Sequence, residues 1–273
     1  MRTIHLYKLL NSVNIKPPLS ISNSEIRDIS FNSKDVKKGT LFLGLPGAKV
    51  DGGIYWKEAI INGAEAAIIT EEAEKNSGKI DKEKVIVLKE PVDDIFGQII
   101  SEFWDRPSKK LKLVGVTGTN GKTTVAFILE YLLNKLGKKT ALFGTLFNRW
   151  PFHEEVSTLT TDFADKLQFK LNAAVSSGAE FAIMEVSSHS LAQRRVVGCE
   201  FNVAVFTNLS QDHLDYHNSM KAYFDTKKEL FRVPYLSKNN CFSVINGDDE
   251  WGGKLIKFSK SKCLIISSSK RGQ

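Results

Sequence analysis

Residues 114–133, VGVTGTNGKTTVAFILEYLL, join a short apolar run to a glycine-rich turn and then to an amphipathic helix pattern. A buried strand that turns through Gly118, Thr119, Asn120 and Gly121 into a helix starting near Lys122 brings backbone N–H groups and a helix N-terminus onto one point. Lys122 stands beside that point, Thr123 is placed to ligate a magnesium ion on a bound triphosphate, and Thr124 follows in the first turn. The strict phosphate-loop pattern has Gly where this chain has Val116, with Gly115 one place early. The expected ligand is the phosphate chain of ATP or GTP; the alternative is a glycine-rich turn with an incidental lysine.

Around this motif the chain alternates apolar strands with amphipathic helices. LVGVT, TALFG, FAIMEV, FNVAVFTNL, CFSVIN and CLIISS read as strands; TVAFILEYLLNKLG, FADKLQFKLNAAVSSG and residues 219–231 read as helices. Such alternation predicts an α/β fold with a mostly parallel sheet covered on both faces, whose ligands bind off the carboxyl ends of the strands. A seam at WDRPSKKLK, residues 104–112, separates this region from an N-terminal α/β domain. In that domain TLFLGL, AAIIT and KVIVL read as strands, and IYWKEAIINGA and PVDDIFGQIISEFW as helices. The expected domains are residues 1–106 and 107–273. The closing SSSKRGQ reads as loop, and the sheet is expected to be incomplete, with an exposed edge strand near CLIISS.

Composition narrows the class without choosing a function. A 42% hydrophobic content over 273 residues supplies real cores, and the +7 charge is spread along the chain rather than blocked into a basic tail. That spread favours an ordinary solvated surface over a nucleic-acid footprint. Cys199, Cys241 and Cys263 are too few and too scattered for a disulfide framework or a zinc site, and are expected as buried thiols in a reducing compartment. No stretch reaches the roughly 18 apolar residues of a membrane span. The expectation is a cytoplasmic monomer that binds neither membrane nor nucleic acid.

Two further strand ends carry chemistry. Glu185 closes FAIMEV, and Asp212, His213 and Asp215 follow FNVAVFTNL in SQDHLDYH. In a parallel sheet these ends open on the same edge as the phosphate loop, which puts Glu185 and His213 within reach of a metal-phosphate centre.

GTNGKTT, MEVSSH followed by QRR, the LTTD segment, and TNLSQDHLDYH followed by YFDTKKELF together resemble the Mur ligases, and among them the MurE type, which adds the third amino acid to UDP-MurNAc-L-Ala-D-Glu. The resemblance spans nearly the whole chain. It implies ATP- and Mg²⁺-dependent amide formation in peptidoglycan synthesis: the D-glutamyl carboxylate takes the γ-phosphoryl group, and the amine of diaminopimelate or lysine attacks the acyl phosphate. By the same resemblance Lys122 stabilises the transferring phosphoryl group, Thr123 and Glu185 hold magnesium, and His213 helps position a second ion. Asn208 is implied on the nucleotide side, and Lys227 as a carbamylated lysine whose anionic oxygens replace an ammonium beside the metal. Thr160, Thr161, Ser187, Gln193 and Arg195 match residues that bind the muramoyl-dipeptide, and Arg194 is expected at the surface. Ser33 matches the serine of a UDP-binding N-terminal module.

Two departures stand out. The usual Asp-Ser-Arg appears as Asn32-Ser33-Lys34, replacing a planar guanidinium by a point charge, which leaves open whether Lys34 contacts the diphosphate or the uracil. The family's C-terminal domain, which selects the incoming amino acid, has no counterpart here. The chain is therefore expected to be a fragment that binds ligands with little or no ligation alone. Two alternatives remain: a folyl- or cyanophycin-type ligase, told apart by product formation from the muramoyl-dipeptide, and a nucleic-acid ATPase, told apart by stimulation with DNA or RNA.

Overall fold

The computed structural model describes residues 2–47, 50–236, 241–259 and 262–268. It divides into two compact units, Met1–Asp105 and Arg106–Gln273. The first contains an all-parallel sheet in the order Asp28–Ser30, Thr40–Leu43, Ala64–Thr70, Val85–Leu88. Every residue of Thr40–Leu43 is buried, as a strand covered on both faces requires. Helix Asp93–Phe103 buries Phe96, Ile99, Ile100 and Phe103, the spacing of one helical face. Helix Trp56–Ile61 stops before Gly63, whose φ of +112° a side chain would not tolerate. A further helix, Glu71–Ser77, starts where the Thr70 hydroxyl accepts from the Ala73 N–H; its polar sequence hides it from an apolar periodicity.

The second unit is an eight-stranded mixed sheet. Its six parallel strands run Thr140–Phe143, Phe181–Glu185, Lys112–Thr117, Val203–Phe206, Phe242–Asn246 and Lys262–Ile266. An antiparallel hairpin, Phe147–Trp150 with His153–Val156, extends the Thr140–Phe143 edge. The register places Glu185 opposite Val116 and Phe206 opposite Thr117. The segments following residues 117, 143, 185 and 206 thus open on one edge.

One sheet face packs on helices Ala164–Ser176, Met220–Lys228 and Glu250–Phe258 through Leu167, Leu171, Phe224 and Leu255. The expectation of two covered faces holds only partly for the other. There the Lys122–Lys135 helix covers Val114, Val116, Leu142 and Ile183, and an open groove of about 650 Å³ runs past Val203, Val205, Val244 and Ile266. Handedness accounts for the asymmetry: right-handed crossovers put helices on opposite faces according to their direction across the sheet. Of the connections between parallel strands, the one from Thr117 to Thr140 runs counter to the rest.

Lys262–Ile266 lies at the sheet edge with Leu264, Ile265 and Ile266 exposed, as expected for CLIISS. The loop reading of SSSKRGQ falls largely on residues 269–273, outside the described residues. An exposed apolar edge strand templates self-association. Leu264→Lys is expected to lower the apparent mass in light scattering without moving the melting temperature; unchanged association would place the sticky surface elsewhere. Of the cysteines, only Cys199 is buried; Cys241 is half-buried and Cys263 exposed on this edge strand.

Candidate active site

The phosphate loop is built from both sides. Gly118 has φ +147°, and a Cβ there would lie 1.9 Å from the Thr207 hydroxyl. Gly121 has φ +81° and precedes helix Lys122–Lys135. These two positions require glycine for backbone reasons. Gly115 serves packing instead: its Cβ would meet the Phe201 ring at 2.8 Å, while Val116 is fully buried. Asn208 grips the loop by donating from Nδ2 to the Asn120 carbonyl at 3.1 Å and accepting the Asn120 N–H at 3.0 Å. The Thr119 N–H donates to the Asn208 carbonyl, and the Thr207 hydroxyl to the Asn120 carbonyl. Thr124 is exposed in the first helical turn.

Glu185 is fully buried at its strand end. Its Oε2 accepts from the Thr123 hydroxyl at 2.8 Å and the Thr145 hydroxyl at 3.1 Å, and its Oε1 accepts the Thr145 N–H at 2.9 Å. A hydroxyl and a carboxylate so joined are hard oxygen donors of the kind magnesium takes beside phosphate oxygens and water. Among the described residues no three His, Cys, Asp or Glu side chains gather into a protein-only metal cage. The residues present fit a magnesium ion that arrives with a nucleotide.

Two lysines converge on one carbonyl. Lys122 Nζ donates to Gly118 O at 3.0 Å and Thr119 O at 2.8 Å, and Lys227 Nζ donates to Gly118 O at 2.8 Å. Lys227 is 1% exposed, and its pKa falls to about 7 through burial and then the repulsion of Lys122, against a smaller pull from Asp212. The Tyr223 ring, 4.6 Å from Nζ, favours the ammonium but does not offset that desolvation. Burial also lowers the pKa of Lys122, with Glu185 and Asp212 acting in the opposite direction.

His213 starts the Leu214–His217 turn with φ +51° and Nε2 3.4 Å from Asp212. Its ring meets His189 edge-on with centroids 4.7 Å apart. Burial is the main cause of the lowered pKa of His189, followed by the charge of His213.

A second cluster lies behind Glu185. The Thr161 hydroxyl donates to the Glu185 carbonyl and accepts the Ser187 N–H, while the Thr160 and Thr145 hydroxyls lie 3.2 Å apart. Ser187 caps helix Ser188–Ala192 by accepting from Ser190 N–H. Arg195 is held by Gln193 Oε1 and the Thr161 carbonyl and sits 4.3 Å from the Phe163 ring. Arg194, expected at the surface, is half-buried with its guanidinium 5.8 Å from the Tyr235 ring. In the other unit, buried Ser33 donates to Glu58 at 2.6 Å, and exposed Lys34 donates its N–H to Asn32 Oδ1.

Residues 116–273 match the family described as Mur ligase middle domain, and residues 25–104 the Mur ligase family, catalytic domain. The chain belongs to the Mur ligase family. A UDP-N-acetylmuramoyl-L-alanyl-D-glutamate–2,6-diaminopimelate ligase of Prochlorococcus marinus subsp. pastoris is 62% identical over 98% of this chain and 52% of its own length. The ligase of the same name from Thermosynechococcus vestitus is 44% identical over 93% of this chain and 50% of its own. Among solved structures, a ligase with that name superposes with a TM-score of 0.81 at 29% identity, over 99% of this chain and 54% of the other. The Thermotoga maritima MurF ligase in complex with ADP shares the fold, with a TM-score of 0.61 at 22% identity over 89% of this chain and 51% of that one. The chain spans about half the length of the curated relatives it matches.

Several site residues of this Mur ligase chain escape a motif-based reading. Gly144 and Thr145 wrap the Glu185 carboxylate, and a Cβ on Gly144 would lie 2.3 Å from Glu185 Oε1. Asn246 and Asp249 hold the backbone of Thr207 and Leu209. Their signal is a polar group directly after an apolar strand, in TALFGT and CFSVINGDD.

Proposed function

We propose that this chain forms the UDP-sugar-binding and nucleotide-binding parts of a ligase that joins diaminopimelate to UDP-MurNAc-L-Ala-D-Glu at the expense of ATP. Residues 1–106 and 107–273 are the two domains of this reading. The observation that carries it is the geometry of one sheet edge, where the phosphate loop, Glu185, Lys227 and the Thr160–Thr161 segment meet in a chain 62% identical to a diaminopimelate ligase.

The loop from Gly118 to Thr123 takes the ATP phosphates on its N–H groups and helix N-terminus. Lys122 stabilises charge on the transferring phosphoryl group once it turns from the loop carbonyls toward the nucleotide. Thr123 and Glu185 hold a magnesium ion, with His213 and carbamylated Lys227 serving a second; bound magnesium supplies charge neutralisation along the phosphates. Arg195, fixed by Gln193, offers a guanidinium for a substrate carboxylate, and Thr160, Thr161 and Ser187 line the same side. Ser33 contacts the uridine diphosphate. This chemistry needs positioning and electrostatics rather than a protein nucleophile.

The test joins residues 1–273 to the C-terminal half of the Prochlorococcus ligase and supplies UDP-MurNAc-L-Ala-D-Glu, ATP, Mg²⁺ and diaminopimelate. Mass spectrometry is expected to show the tripeptide product with matching ADP release. ATP consumption without product, or product only from another carboxylate substrate, would defeat the assignment. Residues 1–273 alone are expected to bind ATP with little or no ligation.

A further inference from the structure

We propose that Thr145 is a positioning residue that restricts Glu185 to single-oxygen metal ligation and thereby favours magnesium over larger divalent cations. The inference rests on the reading of Glu185 as the metal-holding carboxylate. An ionised carboxylate offers about four lone-pair directions. Three are filled here: Oε2 accepts from the Thr123 and Thr145 hydroxyls and Oε1 from the Thr145 N–H. One direction remains, on Oε1. Gly144 makes this close wrap possible, because any side chain there would overlap that oxygen.

The Thr145 hydroxyl has one proton and two neighbours, Glu185 Oε2 at 3.1 Å and the Thr160 hydroxyl at 3.2 Å. The charged carboxylate is the stronger acceptor. The two contacts compete for that one proton, and Thr145 gives it to Glu185 rather than to Thr160. Calcium takes about six to eight oxygens and often both atoms of a carboxylate, whereas magnesium keeps a strict octahedron with few protein ligands. A carboxylate with one free direction serves magnesium.

The test is calorimetric titration of ATP onto the 273-residue chain with Mg²⁺, with Ca²⁺ and with no divalent ion. Wild type, Thr145→Val, Thr145→Ser and Glu185→Gln are compared. Val keeps the shape and backbone N–H of Thr145 but frees a direction on Oε2; Ser keeps the hydroxyl. Wild type and Thr145→Ser are expected to bind ATP more tightly with Mg²⁺ than with Ca²⁺. Thr145→Val is expected to lose that preference by about tenfold, in line with a hydrogen bond to a charged group. A purely structural role would lower the melting temperature and leave the Mg²⁺ to Ca²⁺ ratio unchanged. If Glu185→Gln removes the Mg²⁺ effect while Thr145→Val keeps the wild-type ratio, the proposal fails and the reading of Glu185 stands. If Glu185→Gln leaves the Mg²⁺ effect intact, the reading of Glu185 fails and the proposal with it. Should Thr145→Val not fold, Thr145→Ala reports the same ratio.

Discussion

Gly118→Ala is expected to weaken ATP binding by about a hundredfold while leaving the rest of the second unit folded. The new Cβ would sit 1.9 Å from the Thr207 hydroxyl, 3.0 Å from the Asn208 carbonyl and 3.1 Å from its N–H nitrogen, at a φ of +147°. Two of these neighbours are backbone, so side-chain rotation does not relieve the overlap. Strain of this kind costs on the order of 1–3 kcal/mol, and overpacking adds a similar amount. The loop escapes by giving up the Thr119-to-Asn208 and Thr207-to-Asn120 hydrogen bonds that shape it. A loss of about 3 kcal/mol weakens binding by roughly two orders of magnitude. Isothermal titration with ATP and Mg²⁺, paired with far-ultraviolet circular dichroism, checks it. Wild-type affinity in the variant would show that the loop does not hold the phosphates. Gly121→Ala, with open space around its Cβ but φ +81°, should cost less.

The second large effect concerns Lys227. With a pKa near 7, a substantial fraction of this buried side chain is free amine at neutral pH. On the proposed reading that amine nitrogen would attack the carbon of dissolved CO₂; an N–C bond would form, one C=O electron pair would move to oxygen, and the nitrogen would release its proton to solvent. The product carbamate would reverse the local charge and give Lys122 a counter-ion. With ¹³C-bicarbonate, NMR should show a carbamate carbon whose intensity grows as pH rises through about 7 and vanishes in Lys227→Arg. In the full-length fusion, Lys227→Ala should lower ligation by about 10²–10³-fold, the scale of losing one transition-state charge contact. A wild-type chain with no carbamate signal at pH 8 would contradict this role.

The same shift fixes a sign for stability. The folded pKa lies below the unfolded lysine value, so between the two the unfolded chain binds the extra proton. Stability from this group therefore rises as pH increases from about 7 toward the ordinary lysine range. Urea midpoints across that window, compared between wild type and Lys227→Met, isolate the contribution.

What the sequence discloses and what it conceals divide by distance along the chain. The phosphate loop is local: an apolar strand, two glycines and a helix within 20 residues are visible without a partner. Glu185 is legible because it ends an apolar run, and parallel order brings such ends to one edge. Thr145 is not legible. Its role arises only when Thr140–Phe143 pairs with Phe181–Glu185, which sets Phe143 opposite Met184 and carries the next turn onto the carboxylate. The hairpin at Phe147–Val156 is hidden for a different reason, since strands of only four residues with mixed polarity carry little periodicity. Asn208, expected near the nucleotide, uses its side-chain amide on the loop backbone, a pairing across 88 residues that spacing alone does not reveal.

The most direct test is a crystal structure of this chain grown with ADP, Mg²⁺ and bicarbonate. The account predicts the β-phosphate on the N–H groups of the loop ending at Thr123, a magnesium ion on Glu185 and the Thr123 hydroxyl, and a carbamate on Lys227. A nucleotide bound elsewhere, with Lys227 still an unmodified amine on Gly118 O, would contradict it.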